Sequence, residues 1–315
     1  MHETSGRWKL GFILALSTAL IWGFLPISLK FLLGYVDVYT MTWFRFLLAA
    51  ACLFVFLLFR GGLPRFHQVS GNYYALFGLA IVALCINYLC YMLGLEVLSP
   101  TATQVAIQIA PILFSLGGLI IFKERFSGGQ WFGFAAVIVG LILFFHNNLS
   151  ALYDGVFTQA WGLVFMLTSA VSWAIYALAQ KQLLLKFSSL QILLVIFVFD
   201  CLLFLPASDL GSIAVLGSLG WFYLLFCGFA TLVAYSCFAE ALVHLEASRV
   251  SAVIAMVPLF TLISMQIMEH LFYGFIEAES FTWISLVGAA TVVLGSLMVS
   301  VLNNASPRDE ASVDS

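Results

Sequence analysis

Charged residues are scarce in this chain of 315 residues: only 9% are Asp, Glu, Lys or Arg, while 63% are hydrophobic. Soluble domains carry about 25% charged residues, so a water-soluble fold could not cover this much apolar surface. The formal net charge of -3 is also too small to indicate a nucleic-acid partner. The composition therefore excludes a soluble domain and makes the lipid bilayer the natural solvent of the chain.

The signatures of several pump and enzyme classes are also missing. The sequence contains no GxxxxGK[ST] phosphate loop and no HExxH zinc motif. Its five histidines are not clustered, and its six cysteines form no CxxC pair. We therefore expect no ATP-driven pump, no metal site, no cofactor and no enzyme. An intramembrane enzyme or a membrane sensor is the alternative function that the sequence leaves open.

What the chain does have is a series of long apolar segments separated by short polar breaks. They predict an all-α integral membrane fold of ten transmembrane helices. The predicted helices cover residues 10–32, 37–59, 73–95, 101–122, 129–146, 160–182, 188–206, 218–241, 249–270 and 281–302. The polar tail at residues 303–315 is predicted to be disordered.

The basic residues predict the orientation of these helices. With the N-terminus in the cytoplasm, ten of the twelve Lys and Arg residues fall at or near cytoplasmic ends. Lys30 falls at an outer end, and Arg45 lies inside a helix. We therefore predict that both termini are cytoplasmic and that the protein lies in the plasma membrane, most naturally the bacterial inner membrane.

An internal repeat divides the chain into residues 8–147 and 158–302. A shift of 151 residues aligns helix 1 with helix 6, and a shift of 147 aligns helices 3 and 4 with helices 8 and 9. A shift of 155 aligns helix 5 with helix 10. Because each copy has five helices, an odd number, the second must enter the membrane with opposite polarity. Inverted repeats of this kind characterise secondary transporters, whose sites lie at the repeat interface near the midplane. The aligned pairs include Trp22/Trp173, Lys30/Lys181, Tyr88/Tyr235, Pro111/Pro258, Gly133/Gly288 and Gly140/Gly295.

The same positions carry a family resemblance that covers residues 8–302. The first half has a small-residue turn at Pro100, a mid-helix proline at Pro111, an acidic residue at Glu124 and then the spaced glycines. The chain thus resembles the drug/metabolite transporter superfamily of the ten-helix type with two EamA domains. The second half departs at Glu269, which follows its proline by 11 residues instead of 13. The resemblance implies transport of small metabolites by alternating access and does not name the substrate.

Polar and aromatic residues on shared helix faces predict the substrate site. Gln104, Gln108 and Pro111 lie on one face of helix 4, which must turn away from lipid because its amides need partners. Pro111 and Pro258 are predicted to kink helices 4 and 9 near the midplane, freeing the carbonyls of Ile107 and Ile254. The residues predicted to bind substrate are Trp22, Arg45, Asn87, Tyr88, Tyr91, Gln104, Gln108, Trp173, Tyr176 and Tyr235.

Three ionisable residues inside predicted helices are candidates for other roles. Arg45 lies about eight residues from the outer end of helix 2, roughly 12 Å deep at ~1.5 Å per residue. Asp200 lies at a comparable depth in helix 7. The sequence therefore leaves two roles open for Arg45: a structural ion pair with Asp200, or a contact with the substrate. Glu240 and Asp200 are also the candidates for proton binding or gating, and Glu240 has the alternative of an interfacial acid.

These residues favour a small neutral, zwitterionic or aromatic substrate, such as an amino acid. A phosphate ester would require several Arg or Lys residues, which the predicted site lacks. We therefore predict a secondary transporter, working as an exporter, whose partners are a small molecule and membrane lipid. The sequence leaves a homodimer open.

Overall fold

The computed structural model describes residues 7–64, 71–122, 127–146, 158–245, 247–271 and 281–301. Every regular element in these ranges is helical. The predicted tail at residues 303–315 and the acidic position Glu124 lie outside the described residues.

Six helices are described in the first half of the chain. They are α1 (Trp8–Leu32), α2 (Val38–Phe59), α3 (Gly71–Val97), α4 (Pro100–Ala106), α5 (Ile109–Phe122) and α6 (Gly128–Phe144). Seven are described in the second half, and a short 3-10 turn at Leu205–Ala207 follows the second of them. They are α7 (Thr158–Leu183), α8 (Ser189–Phe204), α9 (Leu210–Ala214), α10 (Ser218–His244), α11 (Ala247–Ile254), α12 (Val257–Leu271) and α13 (Trp283–Val301).

Among the described residues, eight helical segments are long and apolar enough to cross a membrane. Two of them, Pro100–Gly118 and Arg249–His270, each include a break in the helix. Two shorter apolar helices, Gly128–Phe144 and Trp283–Val299, accompany these eight. Large apolar side chains stay exposed along the outside of the bundle, including Phe54, as expected where lipid covers them. The fold is therefore that of a multi-pass integral membrane protein.

Polar residues at helix starts satisfy the first backbone N–H groups, which lipid could not. The Asp37 carboxylate accepts hydrogen bonds from the N–H groups of Tyr39 and Thr40 at the start of α2. Ser188 caps α8 in a reciprocal capping box with Gln191. Asp37 and Ser188 are related by the shift of 151 residues, so both copies begin their second helix in the same way.

The predicted helices 4 and 9 are both broken. Residues 107 and 108 separate α4 from α5, and residues 255 and 256 separate α11 from α12. Pro111 and Pro258 lie within three residues after these breaks. Each break is explained by its proline, because a proline has no N–H for the helical hydrogen bond and its ring clashes with the preceding turn. The expectation of a free Ile107 carbonyl is wrong, since the N–H of Ala110 donates to it at 2.8 Å across a tighter turn.

Equivalent helices of the two halves make equivalent contacts. In the α3–α7 pair the Ser169 hydroxyl donates to the Asn87 carbonyl at 3.1 Å. In the α1–α10 pair the Thr18 hydroxyl donates to the Ala234 carbonyl, also at 3.1 Å. Thr18 aligns with Ser169 under the shift of 151 residues, and Asn87 aligns with Ala234 under the shift of 147 residues. The repeat in the sequence is therefore also a repeat of tertiary contacts.

Helices α6 and α13 pack against each other through glycines. A Cβ added to Gly133 would lie 2.7 Å from the Gly295 carbonyl oxygen, and one added to Gly140 would lie 2.8 Å from that of Gly288. The early glycine of α6 thus meets the late glycine of α13, so the two helices run antiparallel. Only hydrogen at these positions permits the backbones to approach this closely.

Candidate functional site

The breaks of α4/α5 and α11/α12 face a cavity inside the bundle. Its empty space is about 670 Å³ when the open mouth is counted with it. Both halves of the chain contribute to its wall. The lining residues are Trp22, Leu25, Arg45, Asn87, Tyr88, Tyr91, Gln104, Ile107, Gln108, Ala110, Pro111, Trp173, Tyr235, Ile254 and Val257.

Most of the residues predicted to form the site lie on this wall. Nine of the ten predicted substrate-binding residues are among the lining residues, and so is Pro111. Tyr176 is not, because it is 0% exposed behind Tyr235, whose ring centroid lies 5.9 Å from its own. Pro258 is also absent from the lining, where its neighbour Val257 takes its place.

Gln104 joins three parts of the cavity wall. Its side-chain N–H₂ donates to the Trp22 carbonyl at 3.1 Å and to the Tyr91 hydroxyl at 3.0 Å. The Trp22 carbonyl lacks the usual helical donor because Pro26, four residues later, has no N–H. Pro26 is thus a signal in the sequence that could have located this contact and was missed.

The second amide of the same face, Gln108, lies within the break between α4 and α5. Its Nε2 is 3.4 Å from the carbonyl oxygen of Ala255, which lies in the break between α11 and α12. Its Oε1 is buried and has no hydrogen-bond donor among the described residues. Gln108 therefore joins the two helix breaks and keeps one acceptor unused beside the cavity.

Asn87 also lines the cavity, but its amide is committed to a helix contact. Its Nδ2 donates to the hydroxyl oxygen of Ser169 at 2.8 Å and to the carbonyl of the same residue at 3.0 Å. These bonds join α3 to α7 and give Asn87 a packing role as well as a place on the wall.

Arg45 is the one cation among the described residues that line the cavity. Its side chain is 3% exposed, its Nε donates to the Thr231 hydroxyl at 2.9 Å, and its guanidinium lies 4.7 Å from the centre of the Tyr88 ring. The pair with Asp200 that the sequence left open is not formed, since no Arg45–Asp200 contact within 4.0 Å exists in the described structure. The guanidinium instead rests on the aromatic ring and faces the cavity.

The two acids considered for proton binding lie in different settings. Asp200 is 0% exposed, does not line the cavity, and has no hydrogen bond to either carboxylate oxygen among the described residues. Glu240 lies near the end of α10, where it accepts a hydrogen bond from the Ser189 hydroxyl and lies 3.6 Å from His244 Nε2. Glu240 is partly exposed and bridges two helix ends, whereas Asp200 is sealed inside the bundle.

Four aromatic side chains pack together beside the cavity, and we call them the aromatic cluster: Trp22, Trp173, Tyr235 and Phe238. The centre of the Trp22 ring lies 6.1 Å from that of Trp173 and 5.3 Å from that of Tyr235. Phe238 contacts both tryptophans, with its ring centre 5.8 Å from Trp22 and 5.3 Å from Trp173. Edge and tilted ring contacts of this kind pack densely.

Sequence reasoning missed the apolar part of the wall. Leu25, Ile107, Ala110, Ile254 and Val257 line the cavity, and of these the sequence singled out only Ile107 and Ile254, for their carbonyls and not for their side chains. Ile107 and Ile254 are related by the shift of 147 residues, so the repeat itself was a usable signal. In the described part of the chain no group of three or more His, Cys, Asp or Glu residues is placed to hold a metal ion.

Comparison with known proteins identifies the family of the chain. Residues 9–146 and 160–301 each match the profile of the EamA-like transporter family. The chain is 32% identical over 289 residues to the "Uncharacterized inner membrane transporter YhbE" of Escherichia coli (strain K12), covering 91% of this chain and 90% of that protein. It is also 32% identical over 292 residues to an "Uncharacterized transporter" of Haemophilus influenzae, covering 93% and 95%.

A solved crystal structure supports the same fold. It superposes with a TM-score of 0.67 at 16% identity and covers 95% of this chain and 100% of the other. The names of the relatives describe transporters, which argues against the enzyme alternative. On two family matches that span nearly all of its length, this integral membrane protein belongs to the EamA-like transporter family.

Proposed function

We propose that this protein is a secondary transporter that moves a small neutral, zwitterionic or aromatic metabolite by alternating access. One observation carries the proposal: a cavity at the meeting point of the two helix breaks is lined by Arg45, three side-chain amides and several aromatic rings. Such a wall combines apolar surface with a few placed polar groups, as small-molecule sites do. We extend the proposal to export on the family resemblance alone.

The proposed topology is ten crossings in two inverted repeats, residues 8–147 and 158–302, with both termini in the cytoplasm. The antiparallel packing of α6 on α13 supports it, as do the repeated contacts of α3 on α7 and α1 on α10. The excess of basic residues at predicted inner ends supports the orientation. Labelling of a cysteine placed at Ser315 from outside intact cells would contradict it.

In this orientation the cavity lies near the middle of the membrane. Its lining residues in α1 and α3 fall in the outer parts of these helices, whereas Trp173 and Tyr235 fall nearer the inner ends of α7 and α10. Glu240 and Ser189 join α10 and α8 at the ends that we place inside. We therefore propose Glu240 as a gating residue.

Transport into liposomes tests the proposed function. Purified protein is reconstituted and screened with amino acids and related metabolites, with and without a proton gradient. Gln108→Ala should reduce transport per folded molecule at least about tenfold, because this amide lies on the cavity wall and joins the two helix breaks.

Gln191→Ala is the matched control, since it removes an amide that donates at a distant helix end, to the Gly62 carbonyl. It should keep transport. No transport of any compound by the wild-type protein, or equal transport by Gln108→Ala, would contradict the proposal.

A further inference from the structure

Arg45 is a buried cation whose charge no described side chain neutralises. Its contacts are the Thr231 hydroxyl, the Tyr88 ring and, at 3.9 Å, the Met92 sulfur, which is a weak acceptor. A guanidinium has five N–H donors, and only Nε meets an oxygen. The remaining donors of Arg45 therefore have capacity for an anion that the fold itself does not supply.

The nearby acids do not fill this role. Asp200 makes no ion pair and does not line the cavity, and Glu240 is occupied by Ser189 and His244. A charge inside the membrane without a partner is expensive, and such residues mark sites for substrates or ions. Arg45 differs from Asp200 in one decisive respect, since it faces open space.

We propose that Arg45 anchors a carboxylate of the transported molecule, so that the substrate is a small monocarboxylate. The proposal rests on the function proposed above, because it takes the cavity to be the transport site. A carboxylate matches the planar fork of the guanidinium, which can bind both of its oxygens. Among the described residues of the wall, Arg45 is the only Lys, Arg or His, which favours a single carboxylate over a dicarboxylate or a phosphate ester.

The rest of the wall indicates what the carboxylate is attached to. Trp22, Leu25, Trp173 and Val257 provide apolar and aromatic surface. Gln108 provides a buried Oε1 without a donor, which can accept a hydrogen bond from an amino group. An α-amino acid with an apolar or aromatic side chain brings a carboxylate, an N–H donor and an apolar group together in one small molecule.

Binding to the purified protein tests the anchor without any transport step. The probes are matched pairs of an acid and its amide: benzoate and benzamide, L-phenylalanine and L-phenylalaninamide, L-leucine and L-leucinamide. Binding is measured by thermal unfolding and by the fluorescence of the tryptophans. We expect at least one acid to bind, and its amide to bind at least about tenfold more weakly. An amide that binds within about threefold of its acid, or a panel in which no acid binds, would overturn the proposal.

Two variants and a control assign the effect to Arg45. Arg45→Gln should lose at least about tenfold in affinity for the acid. Arg45→Lys should lose less affinity for the acid, because lysine keeps the positive charge but lacks the planar guanidinium fork. This variant takes the place of Arg45→Gln if Arg45→Gln does not fold. Arg60→Gln is the matched control, since Arg60 also lies over an aromatic ring, 4.9 Å from the centre of Phe56, but is exposed at a helix end. Unchanged acid binding in both Arg45 variants would overturn the anchor.

The two proposals fail in distinguishable ways. If acids and amides bind alike while liposomes transport one of them, the carboxylate anchor is wrong and the transporter stands. If the preference for acids depends on Arg45 but no acid that binds is transported, the anchor stands and the transport function is contradicted.

Discussion

The side-chain amide of Gln108 donates to the main-chain carbonyl of Ala255 at 3.4 Å. The two residues are 147 positions apart, which is the shift that aligns Pro111 with Pro258. The contact therefore joins equivalent positions in the two broken helices, where a residue meets its own counterpart in the other half. A small change in how the halves sit against each other must alter this contact, and it lies beside the cavity.

Removal of Gln104 should destabilise the protein through the Trp22 carbonyl. Gln104→Ala leaves this carbonyl without a donor, because Pro26 cannot supply one, and the expected cost is about 1–3 kcal/mol. Pro26→Ala restores an N–H four residues after Trp22, so the double variant should be more stable than Gln104→Ala alone. Thermal unfolding of the four proteins measures this coupling, and strictly additive effects would contradict it.

Gly140→Leu should disrupt the packing of α6 on α13. The new side chain would begin 2.7 Å from the Val292 backbone nitrogen and 2.8 Å from the Gly288 carbonyl oxygen, neither of which can rotate away. We expect the free energy of unfolding to fall by about 1–3 kcal/mol. Gly78→Leu is the control because nothing lies within 4 Å of its Cβ position, and it should be tolerated. A Gly140→Leu protein that folds normally and changes only its substrate preference would refute the packing role.

Asp200→Asn should leave the unfolding temperature unchanged or raise it. The Asp200 carboxyl group has no hydrogen bond among the described residues, so an amide of nearly the same shape breaks no contact. Asp37→Ala, at an exposed helix start, should by contrast cost about 1 kcal/mol, because two N–H groups lose their acceptor. A large loss of stability in Asp200→Asn would show that the carboxylate has a partner that matters.

Ser189→Ala should loosen the contact between the N-terminal end of α8 and the C-terminal end of α10. The variant removes the hydroxyl that donates to Glu240 and joins these helices. We expect faster hydrogen exchange in the first turn of α8 and the last turn of α10, with the core unaffected. Ser212→Ala removes a hydroxyl that donates to the Asp209 carbonyl outside this contact, so exchange at these two helix ends should match the wild type. Unchanged exchange in Ser189→Ala would contradict a gating role for this contact.

The sequence by itself determined the class of the protein and most of its candidate wall. An apolar composition with few charges leaves only helices that satisfy their own backbone groups in lipid, so the helical membrane fold followed from residue types alone. The spacing of Gln104, Gln108 and Pro111 placed them on one face, since helical period is a local property. The repeat offset also singled out the four glycines at which α6 and α13 meet, although the structure pairs Gly133 with Gly295 and Gly140 with Gly288.

Only the tertiary structure decided which side chains face the cavity and which lie behind it. Tyr176 and Tyr235 are both tyrosines in apolar helices, yet only Tyr235 lines the cavity, because helix rotation is set by packing against neighbours. The sequence places Arg45 and Asp200 at similar depths in the membrane, but their side chains do not meet. Whether they pair depends on the direction in which each helix presents its side chain, which residue spacing along the chain does not determine. The partners of Arg45 and the contact between Gln108 and Ala255 arise between helices far apart in the chain, and only the folded bundle brings them together.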